Sequence, residues 1–244
     1  MGKGKSKKVR EVFIMRTPKD KDANQGVLAV DTDFGKMAVQ VGTEAFSLEG
    51  MTIKECTLLC LVNDVCNNTL DLPFQLHVDM ALENGYTLQE VKEVLLHLAC
   101  HAGYPIVLKA IMRLKEMYPE FNCEVSTESI ESADAELFDD DTKEKLLSLD
   151  PHLSNFIMRE MKQVWRRGGL TPLERAYLSL AVDVLYQTLQ EPFEYHVKLA
   201  LRSGASIDQV RAVLRFMCEF GYSKVWLAFK ELNRMLDQGI IVVR

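Results

Sequence analysis

The chain has 244 residues, is 48% apolar and 26% charged, and carries a net charge of −6. That balance excludes a disordered tail protein and argues against a general nucleic-acid binder, which needs a basic face. No apolar run reaches the length of a membrane span, so no membrane association is expected. The six cysteines follow no disulfide-like spacing, so a reducing compartment and a cytoplasmic location are expected. The seven prolines and 13 glycines fall mostly between periodic segments, which predicts a mainly helical chain.

In chain order, residues 1–30 form a basic lead-in. Its Met1-Gly2 and Ser6 fit the loose myristoylation pattern, but the stretch reads as a solvated tail. Residues 31–117 read as a helical repeat. One helix covers about Phe34 to Phe46. A second opens at the capping box Thr52-Ile53-Lys54-Glu55 and runs to about Asn67. A third begins at Pro73 and closes at Gly85. A fourth opens at the capping box Thr87-Leu88-Gln89-Glu90 and breaks at Gly103-Tyr104-Pro105, and a fifth ends near Met117. Residues 118–149 are acidic and read as an exposed linker. Residues 150–236 read as a second repeat, and 237–244 as an apolar tail able to dock on the body or on a neighbouring subunit.

The second repeat is a copy of the first. From Thr52 to Leu95 a constant offset of 119 gives 18 identities in 44 positions, the mark of a tandem duplication. Pro73-Phe74-Gln75-Leu76-His77-Val78 becomes Pro192-Phe193-Glu194-Tyr195-His196-Val197. Both histidines fall on an apolar helical face, where an imidazole needs a polar partner. The expected partners are Glu55 for His77 and Glu174 for His196, each 22 residues earlier at the start of the preceding helix. Such a pair would orient the ring and raise its proton affinity, although both glutamates also sit where helix capping alone explains them. His97 and His101 stand one helical turn apart. No metal site is assigned to them, because the second copy has no such pair. His101 precedes the Gly103 break by two residues and is expected to face the His77 pocket, with Glu219 as its counterpart. Cys66 and Cys100 are candidate thiols, though small buried roles explain most of the cysteines.

These residues give a resemblance to the carboxymuconolactone decarboxylase family of alkylhydroperoxidase D-like proteins. It rests on Gly-Met/Leu-Thr-x-x-Glu, on His-Val-x-x-Ala-Leu-x-x-Gly, on the Ala102-Gly103-Tyr104-Pro105 break and on the run Glu90 to Ala99. It covers both repeats, about two thirds of the chain. The resemblance implies an all-α tandem-repeat fold that assembles as a homotrimer. It implies cofactor-free acid/base chemistry, decarboxylation or proton transfer, on a small carboxylated lactone or keto acid. His77 and Glu55 would be catalytic with help from His101, and His196 and Glu174 would be their equivalents. Two alternatives stand beside it: a thiol peroxidase or disulfide reductase built on Cys66 or Cys100, and a non-catalytic scaffold. The Cys-x-x-Cys of peroxidase members is missing, since Leu70 and Pro73 hold those places before His77.

Overall fold

A computed structural model describes residues 27–121 and 137–241. The basic lead-in up to residue 26, most of the acidic stretch and residues 242–244 lie outside them, and with them the myristoylation pattern and Cys123. The fold is all-α, with no β-strand among the described residues. By its internal contacts the chain divides into two compact units, residues 1–50 and residues 51–244.

The described part of the first unit is built on α1 (Thr32–Phe46), which starts at the Asp31 cap. A helical turn at 27–30 crosses α1 at Gly35, where a Cβ would stand 2.7 Å from the Leu28 Cα. Only hydrogen fits there.

The second unit holds the rest: α2 (Ile53–Cys66), α3 (Leu72–Glu83), α4 (Leu88–Ala102), α5 (Tyr104–Met117), α6 (Asp140–Leu149), α7 (Pro151–Trp165), α8 (Pro172–Tyr186), α9 (Glu191–Arg202), α10 (Ile207–Phe216), a 3₁₀ turn at Met217–Phe220 and α11 (Tyr222–Asp237). Four capping boxes open α2, α4, α8 and α10, where a Thr or Ser accepts from the third helical N–H and the residue there reaches back. Each satisfies donors that the first turn would otherwise leave unpaired. The starts of α2, α3 and α4 recur 119 residues later at α8, α9 and α10.

The two central helices, α2 and α8, pack on one another, and α3, α4, α9 and α10 pack around them. Both are buried on nearly every side, as at Leu58, Leu59, Leu61 and Val62 on α2 and Leu178, Leu180, Ala181 and Val184 on α8. Burying each leucine is worth about 2 kcal/mol, so this pair is the core on which the sites stand.

The structure departs from the sequence-based expectation at two elements. The stretch expected as linker contains α6. Asp139 caps it, the Asp140 and Asp141 carboxylates favour its positive end, and the preceding Leu137 and Phe138 are buried, Phe138 stacking on Tyr195 at 5.5 Å. The second copy also lacks one residue before its glycine. Where α4 runs unbroken to Ala102, α10 ends at Phe216 and a 3₁₀ turn takes up the shortened path to Gly221.

Candidate active sites

The partner of each repeated histidine is an aspartate of a central helix. His77 Nδ1 lies 2.6 Å from Asp64 Oδ2, and His196 Nδ1 lies 2.6 Å from Asp183 Oδ2. Asp64 Oδ1 accepts from the Thr69 hydroxyl at 3.1 Å, and Asp183 Oδ1 accepts from Thr188 at 2.6 Å. Both carboxylates are buried, with side chains 0% and 4% exposed. A carboxylate with its other oxygen already serving a hydroxyl can only accept here. The imidazole proton therefore sits on Nδ1 and donates, which leaves Nε2 as the reactive atom.

This corrects the expected glutamate partners. Glu55 Oε2 accepts from the Thr52 N–H at 2.7 Å and from its hydroxyl at 2.8 Å. Glu174 Oε2 does the same at Thr171, and its Oε1 accepts from Tyr86 at 2.8 Å. The third helical position points the carboxylate back over the helix start, so capping and not the histidine claims it. The aspartates were missed although a signal was present. Asp64 and Asp183 are identical across the duplication, as are Thr69 and Thr188, and each aspartate precedes its histidine by 13 residues.

His101 is also placed differently from the expectation. Its ring lies 5.1 Å, edge-on, from that of His196, not in the His77 pocket. Glu219, from the second copy, approaches His77 closely enough for their charges to act on each other. Each site thus combines an Asp–His pair from one copy with a group from the other.

The two sites differ in chemistry. At the first, Glu219 has its proton affinity raised, first by burial and further by the Asp64 charge, against the pull of His77. Its Oε2 is buried with no hydrogen-bond partner within the protein. Cys60 lies beside this group, and burial first, then Glu219 and Asp64, push its thiol far up, so it stays protonated. His77 keeps 19% of its side chain exposed, so the site opens toward solvent. At the second, Ser179 stands in the register position of Cys60. Its Oγ lies 3.0 Å from His97 Nε2 and 3.3 Å from His101 Nε2. His101 is pushed down to about 3 by burial and then by His196, so it is neutral at physiological pH. The His196 side chain is only 6% exposed.

The candidate thiols do not join either site's polar network. Burial pushes Cys66 up to about 12, only partly offset by a hydrogen bond from Tyr186, and burial also raises Cys100. Among the described residues no cluster of three or more His, Cys, Asp or Glu side chains is arranged to hold a metal ion. None of their helices is long and apolar enough to cross a membrane.

Residues 151–233 match the profile of the carboxymuconolactone decarboxylase family. No curated protein sequence matches the chain. Among solved structures, the chain is similar to a candidate gamma-carboxymuconolactone decarboxylase subunit from Burkholderia xenovorans LB400. The identity is 20%, the match covers 93% of this chain and 94% of that one, and the TM-score is 0.48. It is the second repeat, residues 151–233, that carries the similarity to the carboxymuconolactone decarboxylase family.

Proposed function

We propose that the protein catalyses cofactor-free acid/base chemistry, decarboxylation or proton transfer, on a small carboxylated lactone or keto acid at the His77 site. One observation carries this reading: an Asp-anchored imidazole lies within electrostatic range of a buried carboxyl group, one oxygen of which has no partner within the protein. Burial favours the protonated form of Glu219, which makes it the acid, and Nε2 of His77 is the base. In decarboxylation the bond to the leaving carboxylate breaks and its electron pair enters the adjacent carbonyl as an enolate. Carbon dioxide departs, and Glu219 delivers its proton to the carbon. A water molecule then returns a proton to Glu219 by way of His77. Roles for Glu55 and His101 in this reaction lose their geometric support. The high thiol pKa of Cys66 likewise weighs against a thiol peroxidase.

The test is carbon dioxide release from a panel of carboxylated γ-lactones and β-keto acids. His77→Ala and Glu219→Gln are each expected to lower turnover by roughly 10²- to 10⁴-fold, the usual contribution of a positioned acid or base. His196→Ala should leave most of it. Silence of the parent protein across the panel would defeat the reading.

A homotrimer is part of the same proposal. Tyr104, Leu108 and Met112 form an exposed apolar stripe along α5, and Tyr222 and Trp226 form its counterpart on α11. These surfaces suit contact between copies. Sedimentation equilibrium should give three times the 27.8 kDa chain mass, and Trp226→Arg should shift the population toward smaller species.

A further inference from the structure

Beside the second site lies a group of buried polar atoms that the chemistry at His77 does not use. Arg175, in the first turn of α8, is 1% exposed. Its Nη2 donates to the carbonyls of Arg167 at 2.8 Å and Gly168 at 3.3 Å. Its Nε and Nη1 have no partner within the protein, and neither do Trp165 Nε1 and His97 Nδ1. The rings of His97 and Trp165 meet edge-on with centroids 5.6 Å apart. His97 lies close enough to Arg175 for the guanidinium to oppose its protonation. Burial is the larger cause and acts in the same direction, so this imidazole is neutral. The Ser179 hydroxyl donates its one proton to the Arg175 carbonyl at 3.1 Å, so its oxygen accepts from His97 Nε2 and Nδ1 of that ring is a bare acceptor.

The charges nearby offset that of Arg175 only in part. Glu93 is 4.0 Å away, but both its oxygens are taken by Arg167, at 2.7 and 2.8 Å. Glu174 acts on Arg175 more weakly, and its oxygens are held by Thr171 and Tyr86. Burial lowers the guanidinium pKa to about 10, which still leaves it charged at neutral pH. The duplication supplies an internal control. In the other copy the register positions of Arg175, His97 and Trp165 hold Cys56, Phe216 and Phe46. Helices of the same plan are therefore built without these donors. Buried donors left unpaired on the Arg175 guanidinium and the Trp165 ring are chemically the inside of an anion site.

We propose that Arg175 and Trp165 form a buried binding site for a small anion, either the carboxylate of an organic acid or an inorganic anion of similar size. The site adjoins the Ser179–His101–His196 group. It stands independently of turnover at His77, and its test reads binding alone.

Trp226→Phe leaves Trp165 as the sole tryptophan. This protein is titrated from low-salt buffer, in separate experiments, with sodium acetate, succinate, phosphate and chloride while Trp165 fluorescence is followed. A saturable change is expected, at least tenfold weaker in affinity in Arg175→Met. Calorimetry on Trp165→Phe, which keeps a ring and removes the N–H, should show a several-fold loss as well. Saturation by acetate and succinate alone assigns organic acids, and saturation by all four assigns a general anion site. No saturable response to any of them overturns the proposal. So does an unchanged affinity in a folded Arg175→Met protein. If that variant does not fold, parental affinity in Trp165→Phe overturns it instead.

Discussion

Asp64 and Asp183 decide what the two histidines can do. Each fixes the proton on Nδ1 and leaves Nε2 free, so the ring can work only from that side. An asparagine in place of Asp64 presents an amide that can donate to Nδ1, which moves the ring proton to Nε2 and removes the base. Asp64→Asn is therefore expected to lower kcat for carbon dioxide release by roughly 10²-fold with little change in KM. The neighbouring groups give a pH signature. His101 has its pKa depressed to about 3, below the ordinary 6.5, so the unfolded chain binds a proton that the folded chain refuses. Stability from this group is fully present above pH 6.5 and is lost as pH falls toward 3. Glu219 works in the opposite sense: its raised pKa favours the fold below the ordinary value of 4.5 and costs stability as pH rises through its folded value. His101→Gln should therefore flatten the decline in urea midpoint between pH 6 and pH 4. An unchanged slope would count against a neutral buried ring. At this scale the sequence was half legible. His77 and His196 stood out as polar residues on apolar faces. Their partners did not, because an i to i+13 contact between two helices leaves no periodic trace, and the glutamates offered a local pattern that capping had already claimed.

The helices themselves were legible because their ends are written in local chemistry. Thr52, Thr87, Thr171 and Ser206 each open a helix with a reciprocal cap, and Gly103 and Gly221, at φ of 101° and 143°, supply backbone that other residues rarely adopt. The cap at α8 lies on a central helix and also holds Glu174 for Tyr86. Thr171→Ala should cost about 1 kcal/mol in urea unfolding, and Thr171→Ser should cost much less, since the hydroxyl oxygen is what accepts. What was not legible at this scale is α6. Its composition is polar and acidic, none of its residues is buried, and only its Asp139 cap marks it. The 3₁₀ turn before Gly221 was equally hidden, because a one-residue deletion shows where the path is shorter but not how the backbone absorbs it.

At the scale of the molecule, the duplication explains why neither copy is complete. Glu219 of the second copy lies within electrostatic range of His77 of the first, and the ring of His101 of the first meets that of His196 of the second. The repeat signal exposed the two copies but not this exchange, since an offset relates equivalent positions and is blind to which of them meet. Glu93 is the strongest polar tie between the copies. It is 1% exposed on α4 of the first copy and takes a two-pronged hydrogen bond from Arg167, in the segment leading into α8 of the second. Gly169 makes room for it: at φ of 88°, a Cβ there would stand 2.9 Å from the Glu93 Cγ. The counterpart of Glu93 is Ala212, so the tie exists once in the molecule. Removing it strands the positive charge of Arg167 and takes from the fully buried Arg175 its nearest carboxylate. Breaking a buried pair from one side typically costs about 3–5 kcal/mol, several times the loss from a helix cap. Glu93→Ala should therefore lower the urea midpoint far more than Thr171→Ala does. Because the tie joins the copies within residues 51–244, the transition should stay cooperative and move as a whole, with both Asp–His sites lost together. A variant in which one site unfolds well before the other would show that the two copies are stabilised separately.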